Sequence, residues 1–557
     1  MPMPPEAFMD QIYQGRLDKE IFDSFNSLGN TSKIDGIIQE YLEMLQEYDP
    51  RSIEAAGRIP EDMLERMKKS GFFGLSIPKE YGGLGFNGWE YLKTIEEMVR
   101  QDISVVLASI GHLSIGVKGI LLFGSDFQKQ KYLVPAASGE MIFSYALTEP
   151  RIGSDAQHIE TRAELSSDGS YYLLNGQKTY ITNANYAGGL TVFAQMDPRQ
   201  PGFMGAFIVE TSWDGVKIGR DMPKMGLKAS STAAIQFKDV RVPVENLLGK
   251  PGEGFKIAMT ILNYGRLGLG AASLGMMKQS LDDMLKRSTT RIQFGAPIRT
   301  FPLVQEKMVR AKVYSLVVSA INDFITGILE KDPFANVAIE TSHCKLFGTT
   351  RAWDVLYDAL QVAGGSGYLA SHPYEKRMRD FRVATVFEGT TEIHSIYPPL
   401  FAIRKLSQEV SDLRTNRAME LLLLTDRLLR QMEWPLNFDH PILSKAARFA
   451  RKNASTLRRM LWASLVLHGR KIPGKEFILR RITTLSLYTL GILAILAKFS
   501  ADGKHGTLDE GEIVLLEYFL EEAKAVRKLN RSIFNTPQEN IHQRVFDNMV
   551  KKWDASR

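Results

Sequence analysis

The chain has 557 residues, 44% of them hydrophobic and 24% charged, a size that exceeds one core and a composition ordinary for a globular protein of two to four domains. Its one cysteine, Cys344, excludes an internal disulfide and indicates a reducing compartment, and no Cys/His cluster has metal-ligand spacing. The net charge of +6 is concentrated: Pro441–Arg481 carries eleven Lys/Arg against one acid, Glu476, a local +10 that leaves the remainder at −4.

Met1–Asp10 has no basic n-region, apolar h-region or Arg-rich transit pattern, so a cytoplasmic, bacterial-type location is expected. From Lys33 to Ala137 apolar residues recur at helical spacing, as in Ile37, Ile38, Tyr41, Leu42 and Leu45. Pro60 opens a helix, and Tyr81–Gly85 (YGGLG) breaks the pattern. A helical N-terminal domain is assigned to residues 1–140.

The period then changes to two. Tyr171–Leu174 and Gln177–Thr182 flank Asn175-Gly176, the signature of a two-residue hairpin turn. Further strands are expected at Leu190–Gln195, Gly205–Glu210, Val216–Gly219 and Ala233–Phe237, giving a small antiparallel β-domain over residues 141–250.

Helical periodicity returns beyond Gly254. One helix carries Gly265, Gly268, Gly270 and Gly275, which admit a close neighbouring backbone, and others run Val304–Leu329 and Ile339–Val362. Residues 251–407 read as a helical bundle and 408–557 as a further helical segment. The uncharged run Ile482–Ala497 contains Thr483, Thr484, Ser486 and Thr489, and reads as a buried helix, not a membrane span.

Chemistry-bearing residues gather in five short runs. Tyr145–Asp155 (YALTEPRIGSD) joins the helical to the β region and offers the hydroxyls of Thr148 and Ser154, a close-approach glycine, and backbone donors, which suit a heteroaromatic cofactor edge or a phosphate. The others are Lys178–Asn183 (KTYITN), Arg291–Gly295 (RIQFG), Gln361–Tyr368 (QVAGGSGY) and Phe387–Ile393 (FEGTTEI). In order and spacing these five resemble the acyl-CoA dehydrogenase family from about residue 35 to residue 405. Residues 408–557, with Gly119–Gly124 and Met259–Arg266, resemble the very-long-chain branch of that family and its C-terminal helical extension.

The resemblance implies a helical domain, a β-domain and a helical bundle with FAD between the last two, and it assigns roles by position. Tyr145, Leu147, Thr148, Tyr180, Ile181 and Thr182 would line the flavin. Gly153 and Ser154 would lie at the flavin and the bound thioester. Asn263, Arg266 and Gly389 would contact substrate. Arg291, Phe294, Gln361, Gly364 and Gly365 would reach the FAD of the other subunit of a homodimer, while Thr390 and Glu392 would touch their own. Glu388 would be the base that removes the α-proton of the acyl-CoA. A minority of the family places the base on the helix that carries Arg266, but the equivalent position here is Gly265.

These residue types suit the reaction. An unactivated α C–H is a very weak acid, so positioned donors must stabilise the developing enolate, and a carboxylate base needs an apolar, water-poor setting. Phe387 and Gly389 around Glu388 allow such a setting and a close backbone approach. The β-hydrogen leaves as hydride to the flavin, and the family's usual acceptor is electron-transferring flavoprotein. Gly116 and Gly119, three apart on a helix, either open a groove for a long acyl chain or serve close helix packing.

Some positions depart from the family pattern. Ile152 and His158 stand where small residues are usual, Tyr180 replaces a tryptophan, and Ser395 replaces an arginine in a helix that Pro398-Pro399 is expected to interrupt. The alternatives to the dehydrogenase reading are a scaffold or assembly protein that keeps the fold, and an acyl-CoA oxidase that uses oxygen. In the basic segment Lys445, Arg448, Lys452 and Arg459 share one helical face, with Phe449, Leu457, Leu461, Trp462 and Leu465 elsewhere. That pattern suits either peripheral contact with an anionic membrane or a solvated face, and no recognition fold for nucleic acid accompanies it.

Overall fold

A computed structural model describes residues 7–25, 32–412, 432–504 and 508–557. The chain forms two compact units, a larger one of residues 27–335 and 347–390 and a smaller one of 1–26, 336–346 and 391–557.

The larger unit begins with helices whose starts are fixed by side-chain caps. Asn87 and Glu90 form a capping box on Gly88–Val99, Asp102 accepts from the first amides of Ile103–Ile110, and Ser125 and Gln128 box the helix Asp126–Ser138. Between them Gly111–Gly116 winds as a π-helix before Lys118–Phe123. His112 within that turn is fully buried. Burial pushes its pKa down to about 4, so the ring is neutral. Its Nδ1 accepts from the Phe143 N–H at 2.9 Å and its Nε2 lies 3.2 Å from the Ala136 carbonyl, which fixes the entry of the chain into the sheet.

Eight strands follow: β1 Ile142–Ala146, β2 Arg162–Leu165, β3 Tyr171–Thr182, β4 Ala187–Gln195, β5 Met204–Glu210, β6 Val216–Ile218, β7 Thr232–Pro243 and β8 Leu247–Leu248. They form one sheet in the order β6-β7-β3-β2-β4-β5-β8, with β1 beside β4. The sheet is mixed, not antiparallel as expected, because β1 and β2 both run parallel to β4. β1 was not legible as a strand: four of its five residues are buried, so it lacks alternation.

The hairpin expected at Asn175-Gly176 does not form. β3 runs straight through both residues, paired on one side with β2 and on the other with β7. The register shifts between Leu174 and Gly176 because β7 carries an extra residue there, with Asp239 at φ +53°. The Asn175 side chain pins that bulge, accepting from the Asp239 N–H at 2.8 Å and donating to its carboxylate at 3.2 Å. A Cβ on Gly176 would lie 2.5 Å from Thr161 Oγ1, so this glycine admits Thr161, the residue before β2, and makes no turn. The two-residue turn with positive φ at both positions occurs instead at Phe294-Gly295, between the short strands Ile292–Gln293 and Ala296–Pro297.

Two long helices, Gly254–Thr290 and Pro302–Lys331, complete the larger unit together with the C-terminal part of Ala338–Ala363. Gly275 lets the first of them approach the backbone of Gly88–Val99, where an added Cβ would lie 2.3 Å from the Glu96 carbonyl. Gly116 and Gly119 serve packing as well. A Cβ on Gly116 would lie 2.6 Å from the Phe143 carbonyl, and one on Gly119 would lie 3.0 Å from Ile261 Cδ1. They line no open groove, so their assignment to the acyl pocket is withdrawn.

In the smaller unit the helices Thr391–Asp412, Pro441–His468, Glu476–Lys504, Glu510–Asn530 and Pro537–Ala555 are joined by the first residues of the chain. The compact units therefore divide residues 1–140 at 26 and begin the C-terminal unit at 391, not 408. The physical reason for the first division is burial: Phe8, Met9, Ile12 and Tyr13 are enclosed, Tyr13 donates to Ser486 Oγ at 2.8 Å, and the Leu17 N–H donates to the Glu433 carbonyl. The proline pair 398–399 does not end its helix, which continues from Thr391 to Asp412.

The basic helix Pro441–His468 keeps Lys452 and Arg459 exposed, but Leu457, Leu461 and Trp462 lie in the core of this unit. Its apolar face is thus not available to anchor it in a membrane, and Lys445 instead pairs with Glu521 at 3.3 Å. Among the described residues, three helical stretches are long and apolar enough to cross a membrane, Ile103–Phe123, Pro302–Lys331 and Glu476–Gly503, and all three are mostly buried within the protein.

Glu340 is fully enclosed in the smaller unit. Its Oε1 accepts from the Met9 N–H at 2.7 Å, and burial pushes its pKa up to about 8, with Asp10 adding to the effect. Because the folded-state value lies above the unfolded one, this group's contribution to stability is complete below the unfolded carboxyl pKa and is lost as pH rises toward about 8. Glu340→Gln, which stays neutral, should leave the melting temperature nearly unchanged at pH 5 and raise it at pH 8, by up to about 4 kcal/mol of stability. Thermal denaturation at the two pH values checks this, and equal shifts at both would show that proton linkage at Glu340 is not the cause.

Candidate active site

The helix Gly254–Thr290 supplies the floor of the site. A Cβ built on Gly265 would lie 3.2 Å from Glu388 Oε2 and 2.9 Å from Ile115 Cγ2. The missing side chain therefore makes the space in which the Glu388 carboxylate lies, and Ile115 of the π-turn walls the same space with hydrocarbon. Glu388 itself follows the short helix Arg382–Thr385 and has φ +57°, a left-handed conformation rare outside glycine; Gly389 follows at φ +98°. The next side chain on the floor helix, Arg266, is 8% exposed; its Nε donates to the Glu388 carbonyl at 3.4 Å and its Nη1 to Asn263 Oδ1 at 3.3 Å. Arg266 thus holds the backbone of the residue whose side chain sits over the preceding position.

Tyr145 connects this group to the sheet. Its hydroxyl donates to the Ala258 carbonyl at 3.3 Å, and its ring packs on Phe193 with centroids 4.9 Å apart. Burial raises its pKa well above the ordinary tyrosine value; the Glu388 charge adds to this and Arg266 opposes it.

Beyond Tyr145 the chain runs alongside the end of β3. The Ser144 hydroxyl donates to the Thr182 carbonyl at 2.7 Å, and the Thr179 N–H donates to the Thr148 carbonyl at 2.8 Å. These contacts bring Thr148, Tyr180 and Thr182 together. Tyr180 is 67% exposed at φ +57°, Gly153 and Ser154 are exposed, and a Cβ on Gly153 would meet nothing within 4 Å. Leu147 and Ile181 are buried, with Ile181 in the core of the sheet, so only their backbones can face a ligand. Hydroxyls and an unpacked aromatic face beside open space fit a flavin ring. The unusual residues of this loop find local partners: Ile152 closes a tight turn with Glu149, and His158 Nδ1 lies 2.7 Å from Asp155.

A second set of expected residues lies elsewhere. Arg291, Gln361, Gly364 and Gly365 are exposed, and Phe294 stands 96% exposed at the tip of its hairpin. Arg287 donates to the Ala363 carbonyl at 3.4 Å and so ties the two helix ends that carry this set. At 1.5 Å per residue, Arg291 sits roughly 39 Å from Gly265 along one helix. Thr390 is half-buried next to the base loop, whereas Glu392 is exposed on the first turn of Thr391–Asp412 and clusters with the smaller unit.

Two residues at the site carry an interaction that sequence reasoning left without a role: Glu149 and Lys178, 2.7 Å apart and both buried. Their signal was a lysine inside the apolar part of a strand, which is tolerated only when paired.

The chain matches three family models, described as the N-terminal, middle and C-terminal domains of acyl-CoA dehydrogenase, over residues 37–140, 144–240 and 252–396. The mitochondrial very long-chain specific acyl-CoA dehydrogenase of Macaca fascicularis is 32% identical over 98% of this chain and 87% of its own length. Among solved structures, an acyl-CoA dehydrogenase complexed with FAD from Bacillus anthracis superposes with a TM-score of 0.81 at 26% identity, covering 95% of this chain and 93% of that one. Butyryl-CoA dehydrogenase from Megasphaera elsdenii gives 0.62 at 30% identity, over 67% of this chain and 98% of that one.

The Gly265 contact is directly testable. Gly265→Ala should displace the Glu388 carboxylate while leaving the fold and Tyr180 surface intact, and turnover should fall about 10- to 100-fold. Steady-state kinetics beside a thermal melt checks this; unchanged turnover would show that residue 265 does not position the carboxylate.

Proposed function

The chain belongs to the acyl-CoA dehydrogenase family of FAD-dependent oxidoreductases, and we propose that it desaturates long-chain fatty acyl-CoA thioesters between Cα and Cβ, giving trans-2-enoyl-CoA, with Glu388 as the base. The observation that carries this reading is the Glu388 carboxylate seated over Gly265, walled by Ile115, with its backbone carbonyl held by Arg266. A carboxylate fixed against hydrocarbon is suited to take a proton from carbon, since little water competes for it.

Arg266 and Asn263 hold the base loop in its left-handed turn, and Gly389 lets the thioester approach the Glu388 backbone amide, a donor for the carbonyl oxygen as enolate charge develops. Thr148, Tyr180, Thr182, Gly153 and Ser154 would hold the flavin. When bound, FAD supplies the acceptor for the β-hydrogen as hydride. Glu388 then retains the α-proton until it exchanges with solvent.

The set around Arg291 and Phe294 would serve the FAD of a partner copy. The exposure of this set, on elements other than those that carry the flavin set, supports a homodimer in which each site is completed by the other chain. Long-chain preference is supported by the relatives of the very-long-chain branch and not by a groove at Gly116. Electron-transferring flavoprotein is the acceptor that family membership favours.

Anaerobic titration of the purified, flavin-loaded protein with saturated acyl-CoAs from butyryl-CoA to stearoyl-CoA tests the reading. Flavin absorbance should bleach most rapidly with palmitoyl- or stearoyl-CoA, and the reduced protein should reoxidise faster with electron-transferring flavoprotein than with oxygen. Bleaching by butyryl-CoA alone would overturn the chain-length proposal, rapid reoxidation by oxygen would favour an oxidase, and colourless protein that cannot be loaded with FAD would favour a scaffold.

A further inference from the structure

The loop between β1 and β2 is exposed over most of its length yet must present Thr148, Gly153 and Ser154 in one arrangement. Arg151, Gly153, Ser154 and Asp155 are all exposed, and Ile159 is the one fully buried hydrophobic residue between Pro150 and Glu160. Apolar packing therefore does little to order it.

Beyond local turns and the Gly202 N–H that donates to the Gln157 carbonyl, one carboxylate gathers both ends of the loop. Glu149, 3% exposed, accepts from the Glu160 N–H at 2.6 Å through Oε2, and from the Thr161 N–H at 2.9 Å and Lys178 Nζ at 2.7 Å through Oε1. Lys178, fully buried on β3, also donates to the Leu147 carbonyl at 3.0 Å. The two ends of the loop and the strand beside it converge on a single ion pair. Burial pushes Lys178 down to about 8, while Glu149, which burial alone would raise, is held below its usual value by the lysine and by the backbone donors. An ion pair at such depth is a poor way to gain stability, because desolvation consumes the Coulombic attraction. It does fix geometry, since both partners must keep their places to remain satisfied.

We propose that Glu149 and Lys178 are positioning residues that clasp the loop 147–161 against β3 and so present its Leu147-Thr148 backbone and Gly153-Ser154 turn to FAD. The proposal rests on the FAD reading above, and it concerns the order of the loop first and the affinity for the cofactor second. Removing the lysine leaves the Leu147 carbonyl and the Glu149 carboxylate short of a donor, and the cofactor must then order a loose loop when it binds.

The experiment compares Lys178→Met and Glu149→Gln with wild type and with Val209→Ala, a core truncation on β5, a strand outside the loop, that lowers stability. Arg151, with a side chain 81% exposed, reports on loop order as a trypsin site. In FAD-free protein, both loop variants should be cut after Arg151 at least about tenfold faster than wild type, with Val209→Ala close to wild type. FAD titration of the same proteins, followed by flavin fluorescence, should show dissociation constants raised at least about tenfold for the loop variants and within about threefold for Val209→Ala. Unchanged cleavage after Arg151 in Lys178→Met would overturn the clasp, as would equal loss of FAD affinity in Val209→Ala. Wild-type protein that takes up no FAD would instead overturn the cofactor reading, and the cleavage rates would still decide whether the pair orders the loop.

Discussion

At residue 265 the floor helix has no side chain, and the space this leaves holds the carboxylate of Glu388. The rest of the site is arranged around that space. Ile115 closes it with hydrocarbon and is aimed there by the π-turn Gly111–Gly116, a departure from α-helical winding of the kind that re-aims side chains at functional sites. Arg266, one residue on, reaches the Glu388 carbonyl, so a backbone at φ +57° is held by the same helix that receives its side chain. A non-glycine residue in that region carries strain of order 1–3 kcal/mol, which a surrounding structure must offset.

The sheet meets the cofactor side of the site by a different device. The groups proposed to hold the flavin come from a loop with little hydrophobic anchoring and from the exposed end of β3, and buried polar contacts join the two. The Asn175–Asp239 contact pins the bulge of β7 and the Glu149–Lys178 pair ties down the loop, so local geometry on this side is set by hydrogen bonding more than by core packing.

Much of this was legible in the sequence. The change from helical to two-residue periodicity marked the β-domain, the helices expected at Val304–Leu329 and Ile339–Val362 occur within two residues of those bounds, and the five motifs named the family. What failed did so for tertiary reasons. Asn175-Gly176 has the local chemistry of a turn, but pairing with β2 and β7 on both sides kept the strand continuous, and the glycine's role was to admit Thr161. Gly116 and Gly119 could mean a groove or a close contact, and only the positions of Phe143 and Ile261 decide between them. The amphipathic pattern of Pro441–His468 shows that one face is buried without showing what covers it. Lys178 lies inside the run Lys178–Asn183 with nothing nearby in sequence to pair with it, because its partner Glu149 is 29 residues away in the chain.

The central claim is that Glu388 removes the α-proton, and Glu388→Gln tests it most directly, since the amide keeps the size and hydrogen bonding of the side chain while removing its basicity. The measurement is the rate of flavin bleaching after rapid anaerobic mixing of flavin-loaded protein with whichever saturated acyl-CoA reduces the wild type fastest. The account predicts that the variant still binds FAD and substrate, while bleaching slows by a factor of at least about 10²–10⁴. Bleaching within about threefold of wild type would contradict it.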